Sequence, residues 1–136
     1  MLKRLTCGML LLFAAQLQAE EAAAPAQPNN AYAYYALDPE IITNYITDGT
    51  QMGYVRIKVE IMVDNNADLA LVEKHDPLIR DALNRILGKQ TAEQVRSLKG
   101  REEIRKECQT KLNQLLVEET GHKLIRELIF TNYLYQ

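Results

Sequence analysis

The side chains that ordinarily carry chemistry are few in this chain and stand far apart. There are two cysteines (Cys7 and Cys108), two histidines (His75 and His122) and one serine, Ser97. Neither histidine has a second ligand at metal-binding spacing. Ser97 lacks the flanking glycines of a nucleophile elbow, and the chain has no phosphate loop or dinucleotide glycine fingerprint. Asp64, Asn66 and Asp68 imitate the opening of a calcium loop, but the sixth position is Leu69 where glycine is required. The twelfth is His75 where a glutamate should close the site. That run reads instead as a turn and a helix cap. Cys108 falls on an apolar helical stripe and reads as a small buried hydrophobe; a reactive thiol would need exposure and nearby positive charge. The carboxylates lie on helix surfaces, as with Glu102 and Glu103 near Lys106. The sequence therefore assigns no catalytic, cofactor-binding or metal-ligating residue, and it argues for an interaction protein over an enzyme.

The elements around these residues make one domain. The length is 136 residues, 47% of them apolar and 25% charged, which suits one globular unit with its own core. Net charge is −2 with both signs interspersed, so no basic footprint for nucleic acid is present.

Residues 1–19 read as a secretory signal peptide, or failing cleavage a short anchor. Lys3 and Arg4 precede the apolar run Leu5–Ala15, and Leu17-Gln18-Ala19 offers a cleavage site before Glu20. The run is well short of the ~20 residues a membrane-spanning helix needs. Cys7 precedes the apolar core, whereas a lipidated cysteine follows it. Residues 20–33, rich in Ala, Glu, Gln, Asn and Pro, read as a disordered linker. Removing Lys3 and Arg4 takes the charge from −2 to −4 and leaves Cys108 without a disulfide partner.

From residue 34 onward the pattern predicts α+β: a small, mostly antiparallel sheet packed against a helical layer. Tyr34–Leu37 is extended and Asp38-Pro39 turns the chain. Glu40–Ile46 forms a short strand or a helical turn, with Ile41, Ile42 and Ile46 toward the core. Gly53–Val63 alternates strictly, Val55, Ile57, Val59, Ile61 and Val63 on one face. Asp68–Lys74 is a short helix. Asp76 caps a second helix with Pro77 in its first turn, and Gly88 ends it. Thr91 and Gln94 form a capping box for a third helix that packs Val95 and Leu98, and Gly100 breaks the chain. Arg101–Glu119 is the longest helix, with Ile104, Cys108, Leu112, Leu115 and Leu116 inward and Gly121 as its stop. The closing strand, about Lys123–Tyr135, divides into Leu124, Leu128, Phe130 and Leu134 against Ile125, Ile129, Tyr133 and Tyr135. Apolar residues on both faces predict that both are covered. A face not covered by helices must meet another segment or another subunit.

Several pieces of the second half, in this order and spacing, carry a resemblance. They are Pro77-Leu78-Ile79-Arg80-Asp81-Ala82-Leu83, Thr91-Ala92-Glu93-Gln94-Val95, Leu98-Lys99-Gly100-Arg101-Glu102, Leu112-Asn113-Gln114-Leu115-Leu116 and the closing Leu128–Gln136. Residues 34–136 thereby resemble the FliL family of flagellar basal-body-associated proteins, with Tyr34–Val63 fitting more loosely. The resemblance implies a non-catalytic periplasmic domain with a stomatin (SPFH)-like fold. It implies self-oligomerisation into a ring or partial ring, contact with flagellar stator or basal-body proteins or with a membrane-anchored FliL homologue, and a role in motility, torque, chemotaxis or swarming at the inner membrane. Family members usually carry a membrane-spanning helix where this chain has the signal-like segment. The alternatives are a periplasmic stomatin-like scaffold without a flagellar role and a small exported enzyme.

Overall fold

The computed structural model describes residues 31–136. The expected leader and most of the expected linker lie outside them. The fold is α+β, with four strands and four helices in the order β1 (Ala33–Ala36), β2 (Ile41–Tyr45), β3 (Gly53–Val63), α1 (Asn66–Lys74), α2 (Asp76–Leu87), α3 (Ala92–Arg96), α4 (Leu98–Thr120) and β4 (Ile125–Tyr135).

β3 is the spine of the sheet. Its alternating sequence puts Val55, Ile57, Val59, Ile61 and Val63 at 1% exposure or less. Both short strands pair with its one edge, β2 along Gly53–Ile57 and β1 along Glu60–Val63. β4 pairs antiparallel with its other edge over nearly the full length. The helices pack on the inward face, burying Ile79, Leu83 and Leu87 from α2, Val95 from α3 and Ile104, Cys108, Leu112 and Leu116 from α4. Each such aliphatic side chain contributes about 1.5–3 kcal/mol by leaving water.

Ile41–Tyr45 form a strand, not a helical turn, and of the core set expected over Glu40–Ile46 only part is buried. Ile41 and Tyr45 point inward, while Ile42 and Ile46 are more than half exposed. A period of two cannot place adjacent Ile41 and Ile42 on one face.

The helix boundaries follow local chemistry. Asn65 caps α1, its side chain accepting the Asp68 amide at 2.8 Å. Asp76 does not cap α2: the cap position is His75, which makes no side-chain cap bond. The Asp76 carboxylate is occupied by Arg80 Nε at 2.6 Å and the Tyr35 hydroxyl at 2.8 Å. Arg80 also donates to Pro39 O, tying the turn after β1 to α2. The Thr91–Gln94 capping box is present. Leu98, expected to pack, is 85% exposed on the first turn of α4.

Gly100 does not break the chain. α4 begins at Leu98, with Ser97 as its cap. Gly100 lies buried in the first turns because α3 passes so close: a Cβ there would sit 2.0 Å from Gln94 O and 2.6 Å from Gln94 Cα. The need is for absent volume rather than for a turn. Gly121, by contrast, ends α4 at φ +86°, the left-handed conformation that favours glycine.

β4 departs from simple alternation. Its register against β3 shifts twice, leaving Arg126 and Thr131 without a partner on β3. Each extra residue reverses the side-chain parity. Ile125, Leu128, Phe130 and Tyr133 consequently share the helix-facing side with Val63, Ile61, Val59 and Ile57. Ile129, Asn132 and Leu134 take the opposite face. The expected division of the strand therefore does not hold, and of the two faces expected to be covered only the inner one is covered within this chain: Leu134 on the outer side is 53% exposed.

Candidate interaction surface

The residues considered for chemistry do not converge. His75 Nδ1 meets Leu71 O at 2.7 Å inside its own helix end. His122 Nε2 lies 3.1 Å from Asp68 Oδ1, joining the end of α4 to the start of α1. Ser97 Oγ accepts the Gly100 amide and serves as a helix cap. Asp64 pairs with Arg126, and Asp68 turns to Asn65 and His122, so the mimic of a calcium loop is divided among structural contacts. Among the described residues no three His, Cys, Asp or Glu side chains gather as metal ligands. Cys108 is fully buried, and loss of water pushes its thiol pKa up to about 12. A thiol held protonated is a poor nucleophile.

Burial likewise pushes the Tyr133 hydroxyl up to about 12. Arg101 lies 4.9 Å over that ring, and the hydroxyl donates to Val95 O. The Tyr35 hydroxyl is raised by burial and by donating to the Asp76 carboxylate. These are packing arrangements at the seam between helices and sheet.

What the molecule offers instead is backbone edge and sheet face. The edge of β4 away from β3 is treated in two ways. Along Ile125–Phe130 it is sealed by side chains of α4 spaced four apart. Arg101 donates to Phe130 O, and Arg105 donates to Leu128 O at 2.9 Å. Gln109 accepts the Leu128 amide and donates to Arg126 O. Asn113 makes two bonds of 2.9 Å with the amide and carbonyl of Ile125, acting as a strand partner would. The match is geometric: four helical residues rise about 6 Å and two strand residues about 6.8 Å. One helix face can therefore keep step with the outward-pointing groups of an edge strand. The ladder ends at Phe130, and no α4 side chain bonds the backbone of Thr131–Tyr135.

The outer sheet face is the second feature. Cross-strand rows place Tyr34, Met62 and Glu127 together, then Ala36, Glu60 and Ile129, then Lys58 and Asn132. The next row is Ile42, Arg56 and Leu134, followed by Asn44 and Tyr54. Ile42, Tyr54 and Leu134 are each about half exposed, as is Ile46 just after β2. No helix of the described residues covers this face. It has an apolar end around Ile42, Tyr54 and Leu134 and a charged middle of Arg56, Lys58 and Glu60. Arg56 is held by Glu40 at its border.

Sequence reasoning missed both the ladder and the exposed isoleucines. The ladder had a signal: polar residues at 101, 105, 109 and 113 form a stripe flanking the apolar one. A stripe of polar residues ordinarily faces water, and nothing local says that a strand edge lies beneath it.

The structure thus defines an α+β domain whose polar backbone is capped along half of one edge and whose sheet is covered by helices on one face only. The model of the family described as flagellar basal body-associated protein FliL matches residues 34–136, and the chain belongs to that family. It is also similar to the flagellar protein FliL of Aquifex aeolicus (strain VF5), 34% identical over 102 residues. That alignment spans 75% of this chain and 60% of the relative, so the chain accounts for less than two thirds of that protein's length. The matched region coincides with the folded domain, and its motifs now have physical reasons. Thr91-x-x-Gln94 is the capping box, Gly100 lets Gln94 approach, and Leu112 and Leu116 are core.

Proposed function

We propose that this chain is a non-catalytic accessory protein of the flagellar basal body, exported to the periplasm. There it self-associates into a ring or partial ring beside the stator units and supports torque. The observation that carries the reading is the family match across the whole folded domain, residues 34–136. The uncovered sheet face and the unsealed stretch of β4 supply surfaces on which assembly can be built. A stomatin-like fold and an N-terminal export signal over residues 1–19 belong to the same proposal. So do association with the inner membrane and contact with a membrane-anchored FliL homologue. No helix of the described residues is long and apolar enough to cross a membrane.

Deleting the gene in its native host tests this. Swimming speed is expected to fall as medium viscosity rises, and swarming is expected to suffer more than swimming in dilute liquid. Unchanged motility at every load would overturn the flagellar role and leave the periplasmic stomatin-like scaffold. Co-purification with or without motor proteins separates the two.

A further inference from the structure

A groove of about 800 Å³ runs between α2 and α4, and no strand residue lines it. Its floor is apolar: Ala82 and Ile86 of α2 are buried, and Leu78 and Leu115 are half-buried. Four cations stand on its walls, Arg85, Lys89, Lys106 and Lys111, against two anions, Asp81 and Glu107. Both anions are already engaged. Asp81 pairs with Arg85 at 3.0 Å, and Glu107 accepts the Gln90 side-chain amide at 3.1 Å. Lys89 and Lys111 have no ion-pair partner among the described residues, and Lys106 has only Glu102 at 3.9 Å. The groove is thus locally positive in a chain whose net charge is −2.

We propose that this groove docks an acidic amphipathic helix of a partner protein. An apolar stripe would lie on Leu78, Ile86 and Leu115, with flanking Asp or Glu toward Lys89 and Lys111. The dimensions suit a helix. Leu78 to Leu87, the end of α2, is ten residues, about 15 Å of helix, enough to align nearly three turns of a third helix beside α2 and α4. Ridges of such a helix enter the groove between two others, and the i, i+3, i+4 and i+7 pattern supplies the anchors. A flat anionic membrane would touch the lysines but not the recessed floor, and Asp81 and Glu107 would face it. A free phosphate would meet the lysines but leave the apolar floor uncovered, and the backbone N–H groups of α2 and α4 along the walls are used within the helices. This site is separate from the open sheet face, so it stands or falls independently of self-assembly there.

The test is photo-crosslinking of the full chain in its native host, with p-benzoylphenylalanine replacing Thr110 in the groove or, as a control, Lys58 on the sheet face. The cross-linked peptide is sequenced by mass spectrometry. The expected adduct at position 110 is a segment of another protein with excess Asp and Glu and apolar residues at helical spacing. Lys89→Glu together with Lys111→Glu is expected to lower its yield roughly tenfold or more. The position 58 adduct should be untouched. If that double variant fails to accumulate, Lys89→Gln with Lys111→Gln is expected to lower the yield in the same direction. An adduct to lipid, to a second copy of this chain or to a segment without excess acidic residues would overturn the proposal. So would the absence of an adduct, or a yield indifferent to the lysines.

Discussion

At the scale of single residues, Cys108 and Gly100 show how a site that looks chemical or flexible is decided by packing. The Cys108 thiol ionises near 9 when unfolded and is pushed up to about 12 by burial. Below pH 9 it is protonated in both states and gives stability no pH dependence. Between 9 and 12 unfolding releases a proton, so stability falls as pH rises through that window. Tyr133 adds in the same direction, since its hydroxyl is also raised to about 12. Melting temperature is therefore expected to fall more steeply between pH 9 and 10.5 in the native chain than in Cys108→Ala, where the thiol's contribution is gone. Parallel slopes would mean that the thiol is not buried in the folded state. Gly100 gives the opposite kind of test. In an open helix Gly→Ala stabilises by about 1 kcal/mol. Here the added Cβ meets Gln94 backbone atoms at 2.0 and 2.6 Å, so α3 must move. Gly100→Ala is expected to lower stability by about 2 kcal/mol or more, read as a lower denaturant midpoint.

At the scale of elements, the decisive pairing is α4 against the edge of β4. Gln109 satisfies both the Leu128 amide and Arg126 O. Gln109→Ala removes both bonds, at a cost of about 0.5–1.5 kcal/mol each, and it reopens the edge to water and to other strands. Hydrogen exchange is expected to accelerate roughly tenfold at the Leu128 amide, while Ile129, whose amide points toward β3, keeps its protection. Equal loss at both would indicate general unfolding rather than an opened edge. What was legible in the sequence follows the same division. β3 and α4 announce themselves because a single period runs the length of each: Val55 to Val63 by twos, Ile104 to Leu116 by helical steps. Gly121 and the Thr91–Gln94 box are legible because their chemistry is contained within four residues. β4 is not legible in detail because its two bulges change parity without changing composition. Ile42 and Ile46 mislead for a simpler reason, since hydrophobicity alone does not say which face of a strand is covered. The Arg101–Asn113 ladder is a contact between elements a dozen to thirty residues apart, and no local pattern encodes it.

At the scale of the whole molecule, the distribution of burial says where a second protein can sit. The helical layer covers one sheet face completely enough that Val55, Ile57, Ile61 and Val63 have no exposure at all, while Ile42, Tyr54 and Leu134 on the other face keep about half of theirs. A monomer gains nothing from that asymmetry; an assembly does, because those side chains can be buried without rearranging the fold. Arg56 and Lys58 precede Glu60 along β3, so the face has a direction as well as an apolar anchor, and a like surface can approach it only in a register that avoids like charges. Ile42→Asp combined with Leu134→Asp separates the proposed assembly from the fold. Both positions are more than half exposed, so thermal stability is expected to change by no more than about 1 kcal/mol. Circular dichroism should be unaltered. In sedimentation velocity the native chain is expected to populate oligomers at concentrations where the double variant is monomeric, with at least a roughly tenfold rise in the dissociation constant from placing carboxylates in a dry contact. A variant that folds and still assembles like the native chain would move the contact to the unsealed Thr131–Tyr135 edge, where main-chain hydrogen bonds rather than side chains would carry it.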